Sequence, residues 1–430
     1  AGLVLRPAST AETAAILRLA DETRTPIVPQ GGNTGLVGGQ TADADGRQVV
    51  LSLARMNRIR ELDPRSATLT VEAGVILSEA KIAADRAGLL FPLSLASEGS
   101  CQIGGNLATN AGGVAALAHG VARDLCLGLE VVLPGGAVLD DLRKLKKDNT
   151  GYDLKNLFIG SEGTLGVITA AVLRLLPKPA GRSVAWVGLS TPEEALALFR
   201  QASAACGTAL VSFELIGDRP LRFGLRHVPG LLAPLAGAHA WHVLMQIDSL
   251  RSAHDAAMTM ERVLAGALEA GLVADAAIAA GEPQAERLWR IRETIPGAQK
   301  FEGASIKHDI AVPIAAIPEF IATADAAVER AAPGARVVCF GHMGDGNLHY
   351  NIAPPNGVAD ADFLRDEEAV HAAVHGVVRE LGGSISAEHG IGRMKRDELA
   401  RTAPPVALDL MRRVKRAFDP NGIMNPGKLL

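Results

Sequence analysis

Apolar residues recur along this chain with two periods, and the switch between them marks its elements. Ser9 followed by Glu12 reads as a capping box that opens a helix to about residue 21, and Pro26 to Pro29 lead through a short strand into a glycine-rich turn. Runs at 48–53 and 67–72 have strand composition, 76–87 predicts a helix stopped by Gly88, and 128–133 and 165–176 add further strands. Pro177, Pro179 and Gly181 fall within five residues and can continue neither a strand nor a helix, so a domain boundary is expected there. Beyond it, strand-like 183–189 precedes a helix from Pro192 capped by Thr191 and Glu194. Strand-like 211–216 and 241–247, a helix at 253–270, and the segments 286–294, 314–331 and 363–381 follow. The expected organisation is α+β: a first domain 1–179, a second α+β domain 180–382 with an antiparallel sheet, and a C-terminal segment 383–430.

Composition narrows the function classes. The chain has 430 residues, 48% hydrophobic and 21% charged, enough apolar material for large cores, which excludes disorder and fibre. Its 46 glycines against 3% aromatics suit close backbone approach to a ligand better than base stacking. A net charge of −4 gives no footprint for nucleic acid or an anionic membrane surface. Residues 99–122 and 228–247 carry no charge, but the first is rich in Gly, Asn, Gln and Thr. The second contains Pro229, Pro234, His239 and His242, so no membrane span is expected. Cys101, Cys126, Cys206 and Cys339 are scattered, which fits a reducing compartment without structural disulfides. The chain opens at Ala1 rather than Met, which leaves room for a preceding segment.

Three glycine-rich loops carry the first chemical signal. Pro29-Gln30-Gly31-Gly32-Asn33-Thr34-Gly35-Leu36-Val37-Gly38-Gly39 offers backbone N–H groups and positive φ angles, as anion-binding nests do. Gly104-Gly105-Asn106-Leu107-Ala108-Thr109-Asn110-Ala111-Gly112-Gly113 and Gly160-Ser161-Glu162-Gly163-Thr164-Leu165-Gly166 repeat the mixture of glycine and small polar residues. Each alone reads as an ordinary surface turn; together they suggest a long ligand with a pyrophosphate. Neither a Rossmann fingerprint nor a P-loop is present in this region.

The second signal lies at 336–352. Two strand-like runs flank Asp345-Gly346, which reads as a two-residue hairpin turn and would pair His342 directly with His349, with Asn351 on the same face. Two such imidazoles either pack on a sheet face or share a cation. Ser384-Ile385-Ser386-Ala387-Glu388-His389-Gly390-Ile391-Gly392 supplies a carboxylate and another His. The set His342, His349 and Glu388 suits Zn²⁺, with Mn²⁺ or Fe²⁺ behind it. Neighbours in a strand point to opposite faces, so Glu388 and His389 serve one site only if the strand ends or bends there, as Gly390 and Gly392 allow. His371 and His375 stand at i and i+4 on the helix 363–381, but without the glutamate of H-E-x-x-H they read as a solvated or packed face. His119, His227, His239, His242 and His254 show no partner pattern and read as structural.

Taken with Lys147-Asp148-Asn149-Thr150-Gly151-Tyr152-Asp153, the three loops resemble the FAD domain of the vanillyl-alcohol oxidase (PCMH) type. The resemblance implies FAD bound through Pro29, Gly31, Gly32, Asn33, Thr34, Gly35, Gly39, Gly104, Gly105, Asn106, Thr109, Asn110 and Gly113. Glu162, Gly163 and Ile168 would lie along the cofactor, and Asn425 would return the C-terminus to the flavin. Some members tether the flavin through a His in or near the first loop; 31–39 here has none, so non-covalent FAD is expected. Gly341 to His349 together with Ser386 to Gly390 resembles the FAD-dependent D-2-hydroxyacid dehydrogenase branch, almost over the whole chain. That resemblance implies a metal on the two histidines and Glu388, hydride transfer from C2 to flavin N5, and His389 as base. Arg292, Lys307, Asn351 and His389 are the implied substrate contacts.

Hydroxyglutarate dehydrogenases of this kind carry a Thr four residues after the Arg, whereas this chain has Pro296. D-2-hydroxyglutarate, D-lactate and D-malate therefore all stay open as substrates. The expected partners are a small D-2-hydroxyacid and an electron acceptor such as an electron-transfer flavoprotein, quinone or cytochrome; a homodimer is the default from base rates. The expected location is the cytoplasm of a bacterium or the mitochondrial matrix of a eukaryote. A flavin-binding subunit of a larger, glycolate oxidase-like complex is the rival, and a redox-neutral ether-lipid synthase relative is a third reading.

Overall fold

A computed structural model describes residues 2–430, which divide into two compact units. The first comprises residues 2–113, 120–178 and 388–430; the second comprises 114–119 and 179–387.

In the first unit the short apolar runs build two main sheets. Leu3–Leu5, Val49–Ser52 and Ile27–Gln30 form a parallel three-stranded sheet with Val49–Ser52 in the middle. Ile59–Asp63, Thr68–Glu72, Val167–Arg174, Cys126–Val132 and Val138–Asp141 form an antiparallel sheet in that order. Its central strands bury Leu69, Val71, Leu129, Val131, Ala171 and Leu173 against the helix Leu77–Arg86 and the turn Ile103–Ala108. On alternate positions Glu72 and Glu130 meet Arg58 and Arg60. The helix Thr10–Thr23 begins as the sequence requires, with Ser9 Oγ accepting from Glu12 N at 3.1 Å. The Glu12 carboxylate accepts from Ala8 N rather than completing the box at Ser9. The C-terminal segment closes the unit: Ile27 N donates to Ile423 O, and Met424 bridges Ile27 in parallel.

The second unit is one seven-stranded antiparallel sheet, in the order Asp275–Ile278, Gly181–Leu189, Trp241–Ser249, Leu210–Gly217, Arg336–His342, Asn347–Ala353, Asp309–Ala311. Its period-two alternation gives two dissimilar faces. One face carries Ala185, Val187, Phe213, Leu215, Met245 and Tyr350 under the helices Pro192–Cys206, Ala253–Glu269, Ile317–Ala331 and Glu367–Glu380. The other carries Val184, Trp186, Ile216, Leu244, Val338 and Phe340 under Asp218–His227 and Glu282–Ala298. The full capping box at Thr191 and Glu194 is present, and Pro296 lies inside the helix Glu282–Ala298. The architecture is α+β. Among the described residues no helix is long and apolar enough to cross a membrane.

The hairpin departs from the expected register. Asp345-Gly346 is not a two-residue turn: Met343–Asp345 form a 3-10 turn and Gly346 takes the left-handed conformation at φ 89°. His342 therefore faces Asn347, and His349 faces Phe340. The slip is two residues, so side-chain parity survives and the two histidines still share a face, as diagonal rather than direct neighbours.

Candidate functional site

The first unit contains a cavity of about 440 Å³ lined by all three glycine-rich loops. Pro29, Gly31, Gly32, Asn33, Thr34, Gly35 and Gly39 line it, as do Gly104, Gly105, Asn106, Thr109, Glu162, Gly163 and Ile168. Three expected cofactor residues do not. Asn110 Oδ1 accepts from Arg123 N, Gly113 is packed against Ser94 O, and Asn425 Nδ2 donates to Gly39 O at 2.9 Å and Glu162 O at 2.7 Å. These residues shape the loops from behind.

The walls fit a dinucleotide of the expected kind. A Cβ on Gly32 would sit 2.1 Å from Ser100 O, so this loop lies backbone against backbone. Asn33 is left-handed at φ 57°, the conformation one residue of an anion nest requires. Among the described residues the buried Oε1 of Gln102, in the cavity wall, has no hydrogen-bond partner, which a polar ligand would supply. Gln102 and Ser97 escape a motif search because they stand outside the glycine runs.

Glu388 and His389 also line this cavity. After Ser384, which bridges Ala311, the chain forms no strand, and Gly390 turns it at φ 80°. That resolves the strand-parity objection. Glu162 holds the turn: its carboxylate accepts from Ile391 N and Gly392 N, both at 2.7 Å. Burial raises its pKa against the pull of those two donors.

In the second unit, His342 and His349 bring donor nitrogens within 4.8 Å of each other, with ring centroids 5.6 Å apart. Glu214, fully buried on the neighbouring strand and directly opposite His342, accepts from His342 Nδ1 at 2.6 Å and from Arg292 Nε at 2.8 Å. Burial pushes the Glu214 carboxyl up, but the positive charges of His342 and Arg292 outweigh it and hold it down to about 2. With Nδ1 committed to Glu214, Nε2 is the His342 nitrogen that offers a lone pair once the ring has given up its second proton. Asp309 faces His349 in register, with 3.9 Å between Oδ1 and Nδ1. Arg292 is buried rather than solvated, with its guanidinium 4.8 Å from the centre of the Phe340 ring. Lys307 is exposed. Asn351 is buried, its Nδ2 donating to Gln299 Oε1 and its Oδ1 accepting from His308 N. Glu214 was beyond motif reasoning: its signal was a lone charge in the apolar strand Leu210–Gly217. The helix pair His371 and His375 is a packed face, with His308 against both rings and His371 partly open to solvent.

Comparisons with known proteins identify the family and the fold. Residues 1–141 match the model of an FAD binding domain, and 178–429 match that of the C-terminal domain of FAD linked oxidases. The mitochondrial D-2-hydroxyglutarate dehydrogenase of Bos taurus is 40% identical over 429 residues, covering 100% of this chain and 76% of that protein. The D-2-hydroxyglutarate dehydrogenase of Xanthomonas citri pv. viticola is 39% identical, over 98% of this chain and 88% of that one. Among solved structures, p-cresol methylhydroxylase with substrate bound superposes with a TM-score of 0.76 at 16% identity, over 99% of this chain and 88% of that chain. An alkyldihydroxyacetonephosphate synthase gives 0.72 at 18%, over 98% and 75%. The fold is thus that of the vanillyl-alcohol oxidase (PCMH) type. The chain belongs to the FAD-linked oxidases, as an enzyme of their FAD-dependent D-2-hydroxyacid dehydrogenase branch.

Proposed function

We propose that the chain oxidises D-2-hydroxyglutarate, and more slowly D-malate or D-lactate, to the 2-oxo acid. FAD is held non-covalently in the glycine-lined cavity, and His342, His349 and Glu388 hold a divalent ion, Zn²⁺ ahead of Mn²⁺ or Fe²⁺. The observation that carries this reading is Glu214, which ties His342 Nδ1 and Arg292 Nε to one buried carboxylate. A carboxylate on the far nitrogen of a histidine is the usual support of a metal ligand, and it fixes the ring's direction.

When bound, the flavin supplies an acceptor for the C2 hydride at N5, and the ion supplies Lewis-acid pull on the α-hydroxyl and a carboxylate oxygen. His389 takes the hydroxyl proton as the carbonyl forms. Arg292 presents a planar fork to a carboxylate, preorganised by Glu214 and the Phe340 ring. Pro296, one turn further along that helix, offers no donor, so the distal carboxylate of the five-carbon acid falls to Lys307, with Asn351 positioning the chain between. The electrons then pass to a carrier outside the chain. The relatives' names support the choice of substrate.

Anaerobic mixing of the yellow protein with D- and L-2-hydroxyglutarate, D-malate and D-lactate tests this. The flavin band should bleach with D acids alone, fastest with the five-carbon diacid. Bleaching by no D acid, or equally by L acids, overturns it.

A further inference from the structure

The opposite face of the second unit's sheet holds a second histidine cluster that this chemistry does not use. Residues 308 and 309 point to opposite sides of their strand. Asp309 goes toward His349, and His308 goes under the helix Glu367–Glu380. That helix presents His371 and His375 on one side, one turn apart, with rings stacked at 19° and centroids 5.5 Å apart. His308 stands edge-on to both, at 4.7 and 5.4 Å. Each of the three offers a nitrogen, and these nitrogens all lie within 4.8 Å of one another. His308 and His375 are buried, and His371 is partly open to solvent.

We propose that His308, His371 and His375 form a second divalent-metal site, of Zn²⁺ type, with water in the fourth position. One tautomer is already set for it. His308 Nδ1 lies 2.9 Å from Tyr350 O, an acceptor only, so Nδ1 carries the proton and Nε2 keeps its lone pair. His308 Nε2 therefore accepts from His371 Nδ1, 2.9 Å away; an ion would take the place of that proton, leaving the ring's hydrogen on His371 Nε2, 3.6 Å from the Glu367 carboxylate one turn earlier. A backbone carbonyl on the outer nitrogen, as at His308, is a support that imidazole ligands of zinc carry, and the Glu367 carboxylate stands close enough to His371 to swing into the same role. Two nitrogens on one tetrahedral zinc stand about 3.3 Å apart, so the pair opens by a few tenths of an ångström to admit the ion. Three neutral imidazoles without a carboxylate favour Zn²⁺ or Cu²⁺ over Mg²⁺ or Ca²⁺. The ion fastens the helix to the strand beside Lys307, and its role is structural.

The test uses full-length flavoprotein equilibrated with Zn²⁺ alone and gel-filtered, with zinc and FAD measured per chain. In a His349→Ala background one zinc per chain should remain, and adding His371→Ala should remove it, weakening binding by at least about a hundredfold. Co²⁺ in the His349→Ala protein should show the intense visible bands of four-coordinate cobalt, lost with His371→Ala. His371 is partly exposed, so this variant folds, and retained FAD reports that it has; His375→Gln is the second check. If His349→Ala protein holds no zinc, or holds the same amount after His371→Ala, the cluster is a hydrogen-bonded histidine group and the proposal fails. Either result is independent of flavin bleaching by hydroxy acids.

Discussion

The two units reach ligand binding from opposite chemical directions. The first makes room by omitting side chains: its cavity is walled by backbone at Gly31, Gly32, Gly104 and Gly105, and Gly32 lies so near Ser100 O that no methyl fits. The second packs ionisable groups into its sheet: Glu214, Arg292 and His342 are each less than a tenth exposed and hold one another. The first should therefore be intolerant of added volume, and the second of removed charge.

The largest effect is expected in the second unit. Glu214→Gln strips the counter-charge from a buried guanidinium and a buried imidazole, and should cost about 3–5 kcal/mol in urea unfolding together with most activity. A loss under about 1 kcal/mol would mean that the polar face relaxes as easily as a surface. Next comes His242, on the same face, which accepts from Trp186 Nε1 at 3.2 Å. Burial, and secondarily His239, push its pKa down to about 4. A histidine depressed from its ordinary value of 6.5 gives stability that is fully present above pH 6.5 and lost as pH falls toward 4, because the unfolded chain takes the proton first. The loss should approach roughly 3 kcal/mol, and His242→Gln should flatten that part of the pH profile. Arg292→Lys keeps the charge without the fork, and should raise KM about tenfold or more with a smaller change in kcat. With the smallest effect on the second unit, Gly32→Ala drives a Cβ into Ser100 O, so it should displace the loop and weaken FAD retention at least about tenfold while leaving the second unit's unfolding unchanged. An equal loss of stability in both units would blur the distinction.

How much of this is legible in the sequence follows the same division. The glycine loops announce themselves because their chemistry is local: composition over eleven residues marks the wall, and only outlying contributors such as Gln102 escape. The polar face is assembled from afar. Glu214 is 78 residues from Arg292 and 128 from His342, and no window of the chain holds that triad. Parity carried the hairpin, since a register slip of two residues leaves His342, His349 and Asn351 on one face, whereas Asp-Gly misjudged the loop because Met343–Asp345 coil into a 3-10 turn. His308 stayed hidden because period two sends it to the side opposite Asp309, where its partners lie more than sixty residues on, on a helix whose i, i+4 spacing alone says little.

The closure of the first unit by residues 388–430 has a bearing on biosynthesis. A ribosome delivers the last residue of the seven-stranded sheet's unit at position 387, while Met424, the bridge partner of Ile27, is still to be made. The half that emerges first is thus finished last: its opening strands wait through some four hundred residues of translation for their closing edge. A chain halted after residue 387 would release a whole second unit attached to a flavin cradle with one side undone.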